Sequence, residues 1–386
     1  MTLRENLKNH SIAYFLHWFL TQIFLFFVHF FPLQKKIVFN NFNGRELGDD
    51  PKYILLQLVK DKVKAKYIWL TNDLSIKVPD NIKKIRYGSW KASYHYLTAK
   101  IWIDNVKSNP KPPKRNGQFY LQTWHGSFAN KKVEKDVEKF LSKDYIRQSQ
   151  EDSSKIDLMY SNNDFKINLF KRAFWYNGPV IKSDSPQLSV LINPPPNLRN
   201  DFFSKYNINQ AKKIILYAPT FRKETNLNIY KWNYKAILNT LEEKFNAKFV
   251  FLIRLHPNIS QMDRESFGQN VLNVTSYPDM DELMAISDIM ITDFSGVAYD
   301  MALVKKPVFL FAQDFEVYTS QDRPQYFPNE QLPFTFAKDI TELEENIRSF
   351  NSILYQNKVD SFFDKIGLQD SGNGAQSIAK IVMEKL

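Results

Sequence analysis

Phe119-Tyr120-Leu121-Gln122-Thr123-Trp124-His125-Gly126-Ser127 is a short apolar run that ends on an imidazole and a glycine. An apolar run of this length, bounded by turn residues, suits a buried strand, and open parallel sheets bind ligands outside the carboxyl ends of their strands. His125 is therefore expected at a strand end, where a group that titrates near neutral pH suits general-base work, and Gly126 lets backbone approach a ligand. The plainer alternative is a histidine satisfying a local turn. Leu252-Ile253-Arg254-Leu255-His256-Pro257 repeats the arrangement further along the chain. An arginine and a histidine this close can hold phosphate oxygens by charge and N–H donors, against the alternative of an arginine paired with a surface acid.

Outward from these stretches, apolar runs alternate with amphipathic ones, the pattern of helices covering a parallel sheet. Strands are predicted at 37–40, 67–71, 101–105, 119–123 and 158–161, with helices at 54–63 and 164–173. A second series has strands at 214–218, 249–254, 273–274, 289–292 and 308–311, with helices at 232–245, 281–286 and 297–304. Pro194, Pro195 and Pro196 remove donors and disfavour helix, so they mark a linker between the two series. The expected organisation is a segment 1–35, an α/β domain 36–193 and an α/β domain 197–386. The basic, proline-rich stretch 110–115 reads as a loop.

Three further clusters sit where the alternation places strand ends. Thr292-Asp293-Phe294-Ser295-Gly296-Val297-Ala298-Tyr299-Asp300 offers a hydroxyl and backbone N–H groups at a helix start, which suits an anion, although Asp293 also reads as a simple cap. Ala218-Pro219-Thr220-Phe221-Arg222 and Asn197-Leu198-Arg199-Asn200-Asp201 add Arg222 and Arg199 as phosphate partners or ordinary ion pairs. No GxxxxGK[ST] loop, GxGxxG after a strand, GxSxG elbow or HExxH helix is present.

The chain has 386 residues, enough for two domains and a cleft between them, and 44% hydrophobic with 24% charged residues makes it globular. A net charge of +11 favours acidic partners: phosphate-bearing substrates, anionic lipid or nucleic acid. The basic residues are scattered and no zinc finger or RNA-recognition motif occurs, so nucleic acid is not expected. Without cysteine there is no disulfide framework, thiolate metal site or cysteine nucleophile, and none of the six histidines pairs at metal-ligand spacing. Residues 12–33 are strongly aromatic and nearly uncharged between Arg4, Lys8, Lys35 and Lys36. His17, Gln22 and His29 interrupt this run, which favours a helix lying in the inner leaflet over a core helix or a single span.

Taken together, QTWHGS, NLRND, YAPTFR, RLHP, TDFSGVAYD and KKPVFLF followed by DFEVY, in this order over 118–318, resemble the CDP-glycerol glycerophosphotransferase family of teichoic-acid primases and polymerases. The resemblance implies a GT-B-like fold of two doubly wound Rossmann-like domains facing a cleft, a monotopic membrane contact and a donor site mostly in the C-terminal domain. It implies His125 as the base for the acceptor hydroxyl and His256 with Arg254 on the donor diphosphate. Trp124, Gly126, Ser127, Arg199, Pro219, Thr220, Arg222, Ser295, Gly296 and Asp300 then fall on or beside substrate-binding positions. Three departures stand out: Gly296 occupies a place where members often carry a second serine or threonine, Leu198 stands where many have proline, and Lys131-Lys132 replace a lysine and arginine.

The expected reaction is transfer of a polyol phosphate, glycerol phosphate or ribitol phosphate, from a CDP-activated donor to an undecaprenyl-diphosphate-linked glycan in teichoic-acid or capsule assembly, with CMP leaving. Work at the cytoplasmic face of the bacterial membrane, against anionic lipid, follows from that reading, and a homo-oligomer is compatible with it. No tightly bound cofactor and no metal site are expected. Magnesium dependence stays open because Asp293 and Asp300 could share an ion with the diphosphate. The alternatives are a sugar transferase on the same fold and a non-catalytic membrane scaffold that retains nucleotide binding.

Overall fold

In the computed structural model, residues 11–107, 111–220, 230, 232–255, 268, 270–315 and 324–386 are described, those at 11–15, 17 and 18 by their backbone alone. The chain forms two all-parallel sheets. The first contains β1 (Gln34–Asn40), β2 (Lys66–Thr71), β3 (Ile82–Arg86), β4 (Ala99–Asp104), β5 (Phe119–Gln122), β6 (Leu158–Ser161) and β7 (Val180–Lys182), in the order β3-β2-β1-β4-β5-β6-β7. The second contains β8 (Lys213–Tyr217), β9 (Phe249–Ile253), β10 (Val271–Asn273), β11 (Ile289–Thr292), β12 (Val308–Phe311) and β13 (Thr335–Ala337), in the order β10-β9-β8-β11-β12-β13.

Each sheet begins at its centre, runs outward to one edge and then reverses. The strand order turns between β1 and β4 in the first and between β8 and β11 in the second, which are the switch points where such sheets bind ligands. The strands are buried on both faces and so read as continuous apolar runs such as Phe249–Ile253 rather than as alternating ones. Strands β3, β7 and β13 escape the sequence pattern because each is short or carries exposed lysines at a sheet edge.

The covering helices are α1 (Ser11–His29), α2 (Asp49–Lys60), α3 (Trp90–Thr98), α4 (Lys143–Ser153), α5 (Asp164–Ala173), α6 (Leu188–Ile192) and α7 (Leu198–Lys205). They continue with α8 (Tyr234–Phe245), α9 (Met280–Ile286), α10 (Val297–Leu303), α11 (Ile340–Arg348), α12 (Ser352–Ile366) and α13 (Gly374–Lys385). The proline cluster lies exposed between α6 and α7. The last helix does not stay with the second sheet. Ile378, Ala379 and Val382 pack with Ile54, Leu55 and Leu58 of α2 on the first sheet, so the segment after 197 builds part of both cores.

Helix α1 leaves most of its apolar surface uncovered. Val28 is buried and Phe24 stacks on Trp90 at 5.5 Å, yet Phe26 and Phe27 are each 62% exposed and Phe30 is 70% exposed. Among the described residues no helix is long and apolar enough to cross a membrane.

The stretch 111–115 is indeed without regular structure, but its lysine charge is buried rather than solvated. Lys111 donates to Asp152 at 2.7 Å and lies 3.0 Å from Asp104, all three side chains being inaccessible, and Lys114 pairs with the half-exposed Asp157 at 2.5 Å. A buried ammonium between two carboxylates stabilises the native state only while all three are present. Lys111→Met is expected to cost about 3–5 kcal/mol in urea unfolding, because it strands two buried carboxylates. The same change at Lys114 is expected to cost less than about 1 kcal/mol.

Candidate functional site between the sheets

Strand β5 ends at Gln122, and two left-handed residues then turn the chain out of the sheet. Trp124 has φ 56° and Gly126 has φ 63°. A left-handed tryptophan is strained, and such strain is held only where surroundings over-determine it. Gln122 Oε1 accepts from the Trp124 N–H at 2.8 Å, and the indole stacks on the His125 ring at 4.4 Å while meeting Phe174 edge-on at 4.7 Å. Phe42, from the loop after β1, lies against the other side of the imidazole at 5.2 Å.

His125 Nδ1 stands 3.1 Å from the Asn105 carbonyl at the end of β4. A carbonyl only accepts, so this nitrogen carries the proton in the neutral ring and Nε2 holds the lone pair. Asn105 is itself pinned. Its amide donates to Asn41 at 2.5 Å and to Asp49 at 3.1 Å, and its side-chain oxygen accepts from the Phe42 N–H at 2.8 Å. The imidazole is thus oriented from β1, β4 and β5, across the switch point of the first sheet.

The chain after His125 docks on the second sheet. Ser127 Oγ donates to Asp300 on α10, and Phe128 packs edge-on against Tyr299 at 4.6 Å within the second core. A Cβ built on Gly296 would stand 2.5 Å from the Phe128 carbonyl oxygen, so the absent side chain is what lets the two segments touch. Asn130 continues the contact, donating to the Phe327 carbonyl at 2.7 Å and accepting from the Phe327 N–H at 2.8 Å.

Facing these residues, the carboxyl ends of the second sheet hold Pro219, Thr220, Arg254, Ser295 and Gly296. Thr220 N–H donates to Asp293 at 2.9 Å, which ties the loop after β8 to that after β11. Arg254 follows β9 and gives one N–H to the Tyr277 carbonyl, with Glu46 of the first lobe and Asp279 and Asp281 nearby. Ser295 lines a shallow recess open to solvent, together with Asn130, Lys131, Phe294 and Phe336.

His256 and Arg222 lie outside the described residues. Arg199 is described, and the structure does not bring it here. Its guanidinium donates to the Ile286 and Lys212 carbonyls and pairs with Asp288 at 2.8 Å, at the amino-terminal ends of β8 and β11. That is the opposite edge of the sheet from Ser295.

Carboxylates missing from the sequence reading crowd the junction. Burial is the largest influence on Asp49, Asp50 and Asp281, and it raises all three carboxyls above the usual range. Their signal in the sequence was weak, since acids at helix starts are ordinary caps. Lys52 donates to Asp279 and to Glu282 at 3.2 Å, tying α2 to α9 across the lobes. Among the described residues no three histidine, cysteine, aspartate or glutamate side chains are grouped to hold a metal.

Two parallel Rossmann-type sheets that meet at their carboxyl edges fit the GT-B-like class. The family described as CDP-Glycerol:Poly(glycerophosphate) glycerophosphotransferase matches residues 23–384, and the chain belongs to it. It is 29% identical over 362 residues to the teichoic acid poly(glycerol phosphate) polymerase of Staphylococcus epidermidis, covering 90% of this chain and 50% of that protein. It therefore spans about half of that relative. The polymerase of the same description from Bacillus spizizenii is 27% identical over 372 residues, covering 90% of this chain and 91% of the relative. The solved wall teichoic acid polymerase TagF superposes with a TM-score of 0.83 at 26% identity, covering 99% of this chain and 98% of that one.

Burial pushes the Asp300 carboxyl up from 3.8 to about 6, while the Ser127 hydroxyl and Lys166 pull it back. The folded state then binds this proton more tightly than the unfolded chain, so the contribution to stability is full below about pH 4 and is lost as pH rises through about 6. Asp300→Asn is expected to flatten that part of the stability profile between about pH 4 and 6, read as urea midpoints across the range. An unchanged slope would place the titration elsewhere.

Proposed function

We propose that the chain transfers glycerol phosphate from CDP-glycerol to the terminal hydroxyl of a lipid-linked acceptor, building or priming a poly(glycerol phosphate) chain. The acceptor oxygen attacks the phosphorus that bears glycerol, its proton passes to His125 Nε2, and the bond to the CMP oxygen breaks in line. The observation that carries this reading is the His125 imidazole, fixed by the Asn105 carbonyl at 3.1 Å at the carboxyl edge of the first sheet, while Arg254 and Ser295 stand at the carboxyl edge of the second. Arg254 keeps further N–H donors beyond the one given to Tyr277, and it meets diphosphate oxygens with charge that grows in value in a dry cleft. His256 is assigned to the same diphosphate on its sequence motif. A histidine-to-asparagine variant of TagF has been solved with CDPG, which supports this donor class.

Purified protein is expected to release CMP from CDP-glycerol in the presence of a prenyl-diphosphate-linked acceptor, and to do so much more slowly from CDP-ribitol or from UDP-sugars. His125→Ala should lower kcat by about 10²–10⁴-fold while leaving the protein folded. Turnover near the wild-type rate in that variant would rule out the base assignment.

The uncovered aromatic side of α1 and the turn after it supports a membrane-surface role, since Phe26, Phe27 and Phe30 stay exposed and Lys35 stands exposed just beyond them. The acceptor's lipid would hold its reactive end at the same surface, at the cytoplasmic face of the membrane. Replacing Phe26 and Phe27 with glutamate should abolish sedimentation with vesicles containing anionic phospholipid, with CMP release from a water-soluble acceptor unchanged. Sedimentation equal to wild type would count against that surface.

A further inference from the structure

Resting on the role proposed for His125, we propose that Lys166 is a positioning residue that sets the imidazole through the backbone of the loop it belongs to. Lys166 occupies the first turn of α5, after the Asn163 cap. That turn carries the positive end of the helix dipole, so its own helix disfavours a cation there. The ammonium is held from outside the helix. It donates to the carbonyl of Gly126, the residue next to His125, and lies 5.4 Å from the Phe170 ring centroid.

The charged groups that face it come from both lobes: Asp49 and Asp50 at the start of α2, and Asp300 on α10. The side chain is half-buried, and burial of its ammonium lowers its pKa to about 8 against the pull of those three carboxylates. Asn163, one turn earlier on the same helix, donates to the Ser127 carbonyl at 2.7 Å. Two successive peptide groups after the histidine are therefore tied to the start of α5, and Ser127 is tied in addition to Asp300. A loop whose carbonyls are fixed this way has one place to put the ring. Losing the lysine releases the Gly126 carbonyl and leaves three carboxylates without their common cation. A shift of about 1 Å at a reacting group is enough to cost about 100-fold in rate.

The test compares full-length wild type, Lys166→Met, Lys166→Arg and His125→Ala, with CDP-glycerol as donor and a prenyl-diphosphate-linked acceptor. Rates are normalised to CDP-glycerol sites counted by equilibrium dialysis. Lys166→Met is expected to lose about 100-fold in kcat per site with the KM for CDP-glycerol little changed, and Lys166→Arg to recover most of that loss. A purely structural lysine would reduce the number of sites and leave kcat per site alone, and that result overturns the proposal. A loss confined to KM overturns it as well.

Should Lys166→Met fail to fold, the paired variant Lys166→Met with Asp50→Asn removes one charge of each sign without touching the Asn105 contacts and is read by the same criterion. An active His125→Ala would remove the base reading on which this role rests. An inactive His125→Ala beside a fully active Lys166→Met would remove the role of Lys166 alone.

Discussion

The contact of the Phe128 carbonyl with Gly296 is the constraint on which the site depends. The loop after β5 carries the histidine of one lobe, yet beyond Gly126 it is packed as though it belonged to the other. Phe128 sits among Tyr299, Phe327 and Phe362, and Asn130 exchanges two hydrogen bonds with Phe327. A base and a donor site on separate domains would ordinarily rely on domain closure to meet. Here the loop that follows His125 is fixed to the second lobe by side-chain packing within one core. Any larger residue at 296 would push on backbone rather than on a yielding side chain, which gives the departure from a serine or threonine at this position a physical sense.

The second constraint is electrostatic. The chain carries a net charge of +11, yet the junction of the lobes is rich in buried carboxyls: Asp49, Asp50, Asp279, Asp281 and Asp300. Lysines 52 and 166 answer them from the first lobe. Buried ion pairs of this kind add little to stability over an apolar contact, but removing one partner is costly, so they select one arrangement of the lobes. Tyr160, Ser185 and the Gln187 N–H all converge on Asp50, which shows the same logic in neutral hydrogen bonds.

Much of the fold was legible because parallel strands are buried on both faces. The strands at 158–161, 289–292 and 308–311 were delimited to the residue by apolar runs alone, and the helix at 164–173 by its amphipathic pattern. Edge strands β3 and β13 were not, since exposed lysine and threonine break the run. The return of α13 to the first sheet was also invisible, because an amphipathic helix does not say which sheet it covers. Strand-end histidine and arginine were found by position. Arg199 misled, since NLRND looks alike whether its arginine faces a phosphate or caps the far edge of the sheet against Asp288.

Asn105 and Lys166 illustrate what motif reading misses even where it succeeds. Both meet the His125 segment at a backbone carbonyl: that of Asn105 accepts from the His125 Nδ1–H, and that of Gly126 accepts from Lys166. Neither stands within a few positions of the histidine in sequence, and neither has a residue type that announces chemistry. What marks Lys166 is a conflict: a cation in the first turn of a helix whose dipole opposes it. Local rules that a sequence breaks without local compensation are most informative at functional sites, because the compensation must come from tertiary structure. In this chain it comes from the loop that carries His125 and from a carboxylate of the opposite lobe, so the broken rule points at the cleft.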